Sequence, residues 1–430
     1  MLPSSLRAMT ARVAAAFPQY PRLPGMFEST YSNTFSTTLR PQPDGSVFVI
    51  TGDIPAMWLR DSAAQVRPYL HLAGHDPQFA ALIAGVIQRQ MRYVLIDPYA
   101  NAFNEFPNGH CHNKDKTDMG DWIWERKYEL DSLCAPLKLA YDLWQTTGQS
   151  DHLTEEFERA ARLIVATITC EQAHGQSPYL FERFDCVAMD TLTHEGRGNP
   201  VGATGMSWSG FRPSDDACTY NYLIPSNMFA VVALDCLSKL PLKDRELMSA
   251  AKTLSAIIKT GVESHGRVVH PDFGEIYAFE VDGLGGVNLM DDANVPSLLA
   301  LPLLGYCTAD DPVYLATRAF VLSLKNPYYF SGRAARGIGS PHTPDHYIWP
   351  ISLCVQGLTA ASQPEKIGIL EMLMATDAGT GLMHEGFHAD DPAKFTRPWF
   401  AWANSMFAEF VLHLLAIAEA PQGEGAQGTA

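Results

Sequence analysis

The strongest constraint on this chain is the recurrence of amphipathic helical segments from one end to the other, with no linker to divide them. Apolar residues return at helical spacing over about 4–16, 60–73, 77–95, 129–147, 151–171, 220–239, 242–260, 292–303, 311–323, 346–361, 364–376 and 400–420. The clearest are "DHLTEEFERAARLIVATIT", opened by Asp151, and "DRELMSAAKTLSAIIKT". Strand patterns are short and local: "SVFVITG" follows the turn "PDG", and "GRVVHPDFGEIYAFEVDG" alternates as a hairpin does. Helices with one apolar stripe each must cover one another. Residues 1–430 therefore predict one all-α domain, a closed toroid of helix pairs with short β-hairpins in its loops. Its ends, about 1–5 and 421–430, are expected to fray.

The loops carry Trp, Asp, Glu, His and Arg in clusters, which mere connectors do not need. In "TGDIPAMWLRDSAAQVRPYL", Asp53, Trp58, Arg60 and Asp61 crowd the start of a helix. A cap at Asp61 and a surface ion pair account for part of it. Trp58 beside planar hydrogen-bonding groups suits a sugar ring, which offers C–H faces to stack and hydroxyls to bind. "MGDWIWERKYELDSLCAPL" repeats the composition with Trp124, Glu129 and Asp131, as core or as site. "WSGFRPSDDA" places Ser214 or Asp215 at a helix cap and Asp216 in the first turn, yet Trp208 and Arg212 serve no capping purpose. Adjacent carboxylates split their pKa values, and one held protonated is what an acid catalyst requires. "GVNLMDDANVPSLL" offers Asp291 and Asn294, and "GIGSPHTPDHYIWP" offers His342 and Trp349.

"LMHEGFHADDPAKFTRPWFAWANSMF" contains His384-Glu385-Gly386-Phe387-His388, a match to the HExxH zinc signature. That signature works only on a continuous helix, where both histidines face one metal. Gly386 and the following "DDP" argue against such a helix, so no metal is expected and Glu385 reads as a base held in a loop. Arg397, Trp399, Trp402 and Asn404 would line the same pocket.

A net charge of −16 with no basic run excludes nucleic acid and anionic membrane surfaces as partners and favours a neutral substrate. No window reads as a membrane span. Eight cysteines stand singly without a CxxC pair, and no apolar leader is evident, which together point to reduced thiols and a cytoplasmic protein.

"TGDIPAMWLRDS", "YELDS", "WSGFRPSDDACTYNYLIPSNMF", "MDDANVPSLL", "GSPHT" and "MHEGF", in that order, resemble glycoside hydrolase family 125, the exo-α-1,6-mannosidases, from about residue 25 to 415. The resemblance implies an (α/α)6 barrel that needs no metal or cofactor and releases terminal α-1,6-linked mannose from mannosides such as N-glycan fragments with inversion. It places the acid in "SDDA" and the base in "HEGF". Asp215 is preferred over Asp216 as acid because the second Asp is expected to begin the helix, and Glu385 is the base. Trp58, Arg60, Asp61, Trp124, Glu129, Asp131, Trp208, Arg212, Asp291, Asn294, His342 and His384 are the expected substrate contacts. Two other readings stand beside it. A sugar epimerase on the same barrel would use His342 with His384 or His388 as proton shuttles, and a zinc peptidase would use the HExxH stretch.

Overall fold

A computed structural model describes residues 2–420. Six helices form a closed inner ring: Leu59–Val66 (prolonged by a 3-10 turn into Leu70–Ala73), Leu130–Thr147, Ile224–Lys239, Leu301–Leu304, Pro350–Thr359 and Ala401–Glu419. Each packs on the next, and Ala401–Glu419 packs back on Leu59–Val66. Outside them lie Pro77–Ile96, Glu155–Cys170, Arg245–His265, Pro312–Val321, Gln363–Ala375 and, against the last inner helix, Leu23–Asn33 with Ser4–Ala16. This is the (α/α)6 barrel the helical recurrence and the resemblance anticipate.

The two rings follow from their sequences. Five outer helices start on a side-chain cap, whereas Ser4–Ala16 and Leu23–Asn33 have none. Asp76, Thr154, Asp244, Asp311 and Ser362 accept a backbone N–H from the first turn. Inner helices are enclosed on all sides, and Ala401–Glu419 is apolar nearly throughout. Pro77–Ile96 and Ala401–Glu419 are in fact long and apolar enough to cross a membrane by length and composition, contrary to the sequence reading; both are largely buried against other barrel helices.

Several boundaries differ from expectation for identifiable reasons. The helix expected over 151–171 begins at Glu155, because Thr154 rather than Asp151 supplies the cap, accepting from Phe157 N at 3.2 Å. The one expected over 292–303 contracts to Leu301–Leu304. Pro296 lacks an N–H there, and Asp291 binds the backbone N–H groups of Leu298 and Leu299, both at 2.9 Å. Helix Leu23–Asn33 went unread, since Pro24 and Gly25 sit in its first turn. Ser4–Ala16 is helical from its first residue, tied down by Ser5 Oγ on Asp76 at 2.7 Å; residues 421–430 lie outside the described chain.

The strands are short. Met57–Trp58, Tyr222–Leu223 and Tyr347–Ile348 each run directly into an inner helix. Each is one member of a small antiparallel three-stranded sheet, completed by Ala102–Phe103 and Ile123–Glu125, by Glu280–Val281 and Val287–Asn288, and by Phe387–His388 and Asp391–Phe395. The predicted hairpin appears as Arg267–His270 with Gly274–Tyr277.

Gly357 is the closest approach in the inner ring, where a Cβ would lie 2.4 Å from Cζ of Phe410. Gly357→Val should therefore lose about 1–3 kcal/mol through overpacking, read as a lower midpoint in urea denaturation.

Candidate active site

All six inner helices begin without a side-chain cap, and five of them follow an extended residue. Those residues are Trp58, Glu129, Leu223, Trp349 and Phe400. Four of these five positions hold an aromatic or acidic group, and the positive ends of the helices favour carboxylates beside them. Around these ends lies a cavity with about 380 Å³ of space between the protein atoms, its open mouth included. Trp58, Trp349, Phe400 and Trp402 supply aromatic walls, and Arg60, Asp61, Asp215, Asn294, His342, Glu385 and Arg397 supply the polar groups.

Arg60 is the floor. It is buried under the Trp402 ring, 5.5 Å from the centroid, and binds Glu129 at 2.6 Å, Asp131 at 3.2 Å and Asp61 at 3.2 Å. Ser226 completes Asp131 at 3.0 Å and Ser132 completes Glu129 at 2.8 Å. Burial pushes the Asp61 carboxyl up, with Arg60 opposing and Asp215 adding to the rise. Trp58 Nε1, Ser214 Oγ and Trp402 Nε1 are buried polar atoms of cavity-lining residues with no hydrogen-bond partner in the protein. A polyhydroxylated ligand has the donors and acceptors to satisfy them.

Asp215 sits in a tight loop closed by Arg212 N on the Asp216 carbonyl at 2.7 Å and by a Phe211–Ala217 bridge. The loop is not a helix cap, because the following helix starts only at Ile224, and Asp216 does not begin it. Asp215 takes a left-handed φ of 68°, which Asp tolerates better than most residues. Its Oδ1 accepts from Asn101 Nδ2 at 3.1 Å and its carbonyl from Lys127 Nζ at 2.6 Å. Asp216 turns from the cavity and holds His342 Nδ1 at 2.9 Å. Burial alone would lower His342, but Asp216, then Glu385 and Asp215, raise it to about 9, so the ring is a cation at neutral pH.

Glu385 comes from the loop that enters the sheet of Phe387–His388. Its backbone is pinned by Glu385 N on Thr396 O at 3.3 Å and Thr396 N on Gly386 O at 2.8 Å. Arg397 reaches Glu385 at 3.5 Å while its Nε binds Asp53 at 3.0 Å. Asp215 and Glu385, far apart in the chain, thus line one cavity.

Other expected contacts are struts. Trp208 is fully buried, stacked 3.6 Å from the His174 ring, because it braces the loop that carries Asp215. Arg212 pairs with Glu280 at 2.6 Å and anchors the same loop from behind. Asp291 is spent on the two backbone N–H groups of Leu298 and Leu299. Asp131 and Glu129 lie beneath the cavity wall and act through Arg60, and Trp124 backs Trp58. His384 is buried and stacked 3.7 Å from the Phe395 ring. Asn404 holds Met383 N at 2.9 Å, and Trp399 binds Asn33. Asn101, Lys127 and Phe400 were missed. Phe400 in "RPWFAW", just before a helix, carried the same signal as Trp58, whereas Asn101 and Lys127 meet Asp215 only through tertiary contact.

The HExxH stretch is extended, not helical, and among the described residues no group of three or more His, Cys, Asp or Glu side chains could hold a metal ion. Of His342, His384 and His388, only His342 lines the cavity, so the paired histidines of the epimerase reading are not brought together.

The profile of the family described as metal-independent alpha-mannosidase (GH125) matches residues 20–412. The chain belongs to GH125. A Streptococcus pneumoniae GH125-type structure, described as one of a family of metal-independent alpha mannosidases in a non-productive substrate complex with alpha-1,6-mannobiose, is 50% identical with a TM-score of 0.95, covering 97% of this chain and 99% of that one. The Meiotically up-regulated gene 157 protein of Schizosaccharomyces pombe is 41% identical over 91% of this chain and 82% of its own length. Glucoamylase from Saccharomycopsis fibuligera shares the fold alone, with a TM-score of 0.61 at 11% identity over 93% of this chain and 95% of that one. GH125 membership makes the chain an α-mannosidase.

Removing Arg60 would leave three buried carboxylates without their shared cation. Arg60→Met should cost about 3–5 kcal/mol of stability at neutral pH, read by urea denaturation.

Proposed function

We propose that this GH125 α-mannosidase is exo-acting, removes terminal α-1,6-linked mannose from non-reducing ends, and inverts the anomeric centre. The observation that carries the proposal is that Asp215 and Glu385 line one aromatic-walled cavity. The relative solved with alpha-1,6-mannobiose, at 50% identity, supports the linkage.

In this mechanism Asp215 protonates the glycosidic oxygen as the bond to the anomeric carbon breaks. Glu385, oriented by Arg397, takes a proton from a water that attacks the opposite face of the ring. Inverting enzymes leave room for that water by setting their carboxyls about 6.5–9.5 Å apart. Trp58, Trp349 and Trp402 stack the C–H faces of the sugar, while Arg60, Asp61 and Asn294 bind hydroxyls. Asn294 is preset, its amide donating to Asp292 at 2.9 Å. The substrate is an α-mannoside such as an N-glycan fragment.

Incubation with α-1,6-mannobiose beside its 1,2- and 1,3-linked isomers should release mannose from the first alone. Proton NMR should show the β-anomer at early times, and an α-anomer first would overturn inversion. The same assay after EDTA dialysis should run at an unchanged rate. Glu385→Gln should lose roughly 10²–10⁴-fold in kcat on every substrate. Asp215→Asn should lose as much on the disaccharide but far less on mannosyl fluoride, whose leaving group needs no proton.

A further inference from the structure

Arg397 meets two carboxylates, and it meets them unequally. Its Nε donates to Asp53 at 3.0 Å and 3.1 Å, one distance to each oxygen, and its Nη2 donates to Asp53 Oδ1 as well. Its Nη1 stops 3.5 Å short of Glu385 Oε1. A charge-assisted hydrogen bond closes to about 2.7–2.9 Å, so the contact with Glu385 is an ion pair held open. Asp53 has no other side-chain partner among the described residues, and it does not line the cavity. Backbone fixes the two sides to each other. Asp53 N binds Trp399 O at 3.3 Å, Gly52 bridges to Phe400, and Ala401 N binds Thr51 O at 3.0 Å. At Gly52, φ is 126° and a Cβ would lie 2.5 Å from Trp399 O, so glycine alone permits the approach. Arg397 itself takes a left-handed φ of 41°, uncommon for a residue with a Cβ, with its guanidinium 4.5 Å from the Phe400 ring centroid. Such a conformation persists only where its surroundings hold it.

We propose that Asp53 is a positioning residue for the hydrolytic step: gripping Arg397 from outside the cavity, it holds the guanidinium near enough to orient Glu385 and too far to bond to it. The inference rests on the reading of Glu385 as the base. A guanidinium is a planar fork whose preferred partner is a carboxylate taken bidentately. Released from Asp53, that fork would close on Glu385, the other carboxylate it touches, and occupy the lone pairs that must receive a proton. With the fork committed to Asp53, those lone pairs stay free for water. Asp53 enters no bond change itself. A water O–H bond breaks toward Glu385, the water oxygen bonds to the anomeric carbon, and the leaving oxygen keeps the C–O bond pair and takes the proton of Asp215.

The plain alternative is a surface ion pair with no part in the reaction. The Arg397 and Asp53 side chains are 23% and 35% exposed, and pairs in such settings contribute little to stability. That modest structural worth makes Asp53 a clean probe. Its removal should leave the barrel folded, so a change in rate reports on Arg397 and the base, not on the frame.

The test is a double-mutant cycle of Asp53→Ala and Arg397→Met, with kcat and KM measured on α-1,6-mannobiose and on mannosyl fluoride, and a urea midpoint for each variant. Asp53→Ala should lower kcat by about 10²-fold on both substrates, because both need the water deprotonated. KM and the urea midpoint should stay near their wild-type values, the pattern of a contribution made in the transition state. In the Arg397→Met background the same change should cost nothing further, since the group it restrains is gone. An unchanged kcat in Asp53→Ala, a loss confined to the disaccharide, or an equal loss with and without Arg397 would each overturn the inference. Should Asp53→Ala fail to fold, Asp53→Asn carries the cycle; it keeps one acceptor oxygen without the charge, and its kcat should fall less steeply but vanish as an effect once Arg397 is replaced. Glu385→Gln, run alongside, separates the two failures. If that variant keeps its kcat, the reading of Glu385 as base falls; if it loses rate and Asp53→Ala does not, only the restraint falls.

Discussion

A single buried guanidinium organises the floor of this molecule. Arg60 binds carboxylates from two inner helices, and those carboxylates could not be buried together without it. In a low-dielectric setting the cost of desolvating such charges is large and is recovered only with good geometry and satisfied hydrogen bonds. The Ser132 and Ser226 hydroxyls supply those bonds. The cluster is therefore poor evidence of stability for its own sake. Its value is positional: it fixes a guanidinium and its carboxylates at the floor of the cavity before a sugar arrives.

The helical architecture makes that arrangement possible. Five outer helices, which only support, are closed by ordinary caps at Asp76, Thr154, Asp244, Asp311 and Ser362. Inner helices have no side-chain caps; their first N–H groups bind neighbouring loops, as Leu59 N binds Asn101 O and Ala401 N binds Thr51 O, and Trp58, Glu129, Trp349 and Phe400 stand where caps would. Three small sheets hold the approach to these positions. A two-residue strand such as Met57–Trp58 has almost no stability alone, but two neighbours and a helix make its last side chain stationary.

Most helices were legible because outer ones such as Glu155–Cys170 and Arg245–His265 show an apolar stripe and the last inner one, Ala401–Glu419, is apolar nearly throughout. Leu23–Asn33 was hidden by Pro24 and Gly25, and the 292–303 region lost its helix to Pro296 and to the side chain of Asp291, a competition that propensity does not register. The site was legible in part. Trp58, Arg60, Asp61, Asp215, Asn294, His342 and Glu385 were recognised from loops too rich in aromatic and planar polar groups, and the cavity contains them all. Trp208, Arg212, Asp291 and His384 were drawn from the same loops but brace them instead. A side chain that grips a loop uses the same flat faces and hydrogen bonds as one that grips a sugar, so composition cannot separate the two tasks. Lys127 and Asn101 show the converse, since their relation to Asp215 exists only after folding.

The closed inner ring has a consequence for how this chain can change. Its polar groups arrive from several connecting segments, each clamped at both ends by barrel helices, and no half of the barrel holds both Asp215 and Glu385 beside Arg60. Turnover is thus a reporter of complete ring closure, lost by any circular break that lets the first and last inner helices part. By the same logic one segment can be rewritten while the remainder stays seated, so divergence toward new sugars can proceed loop by loop on an unaltered frame.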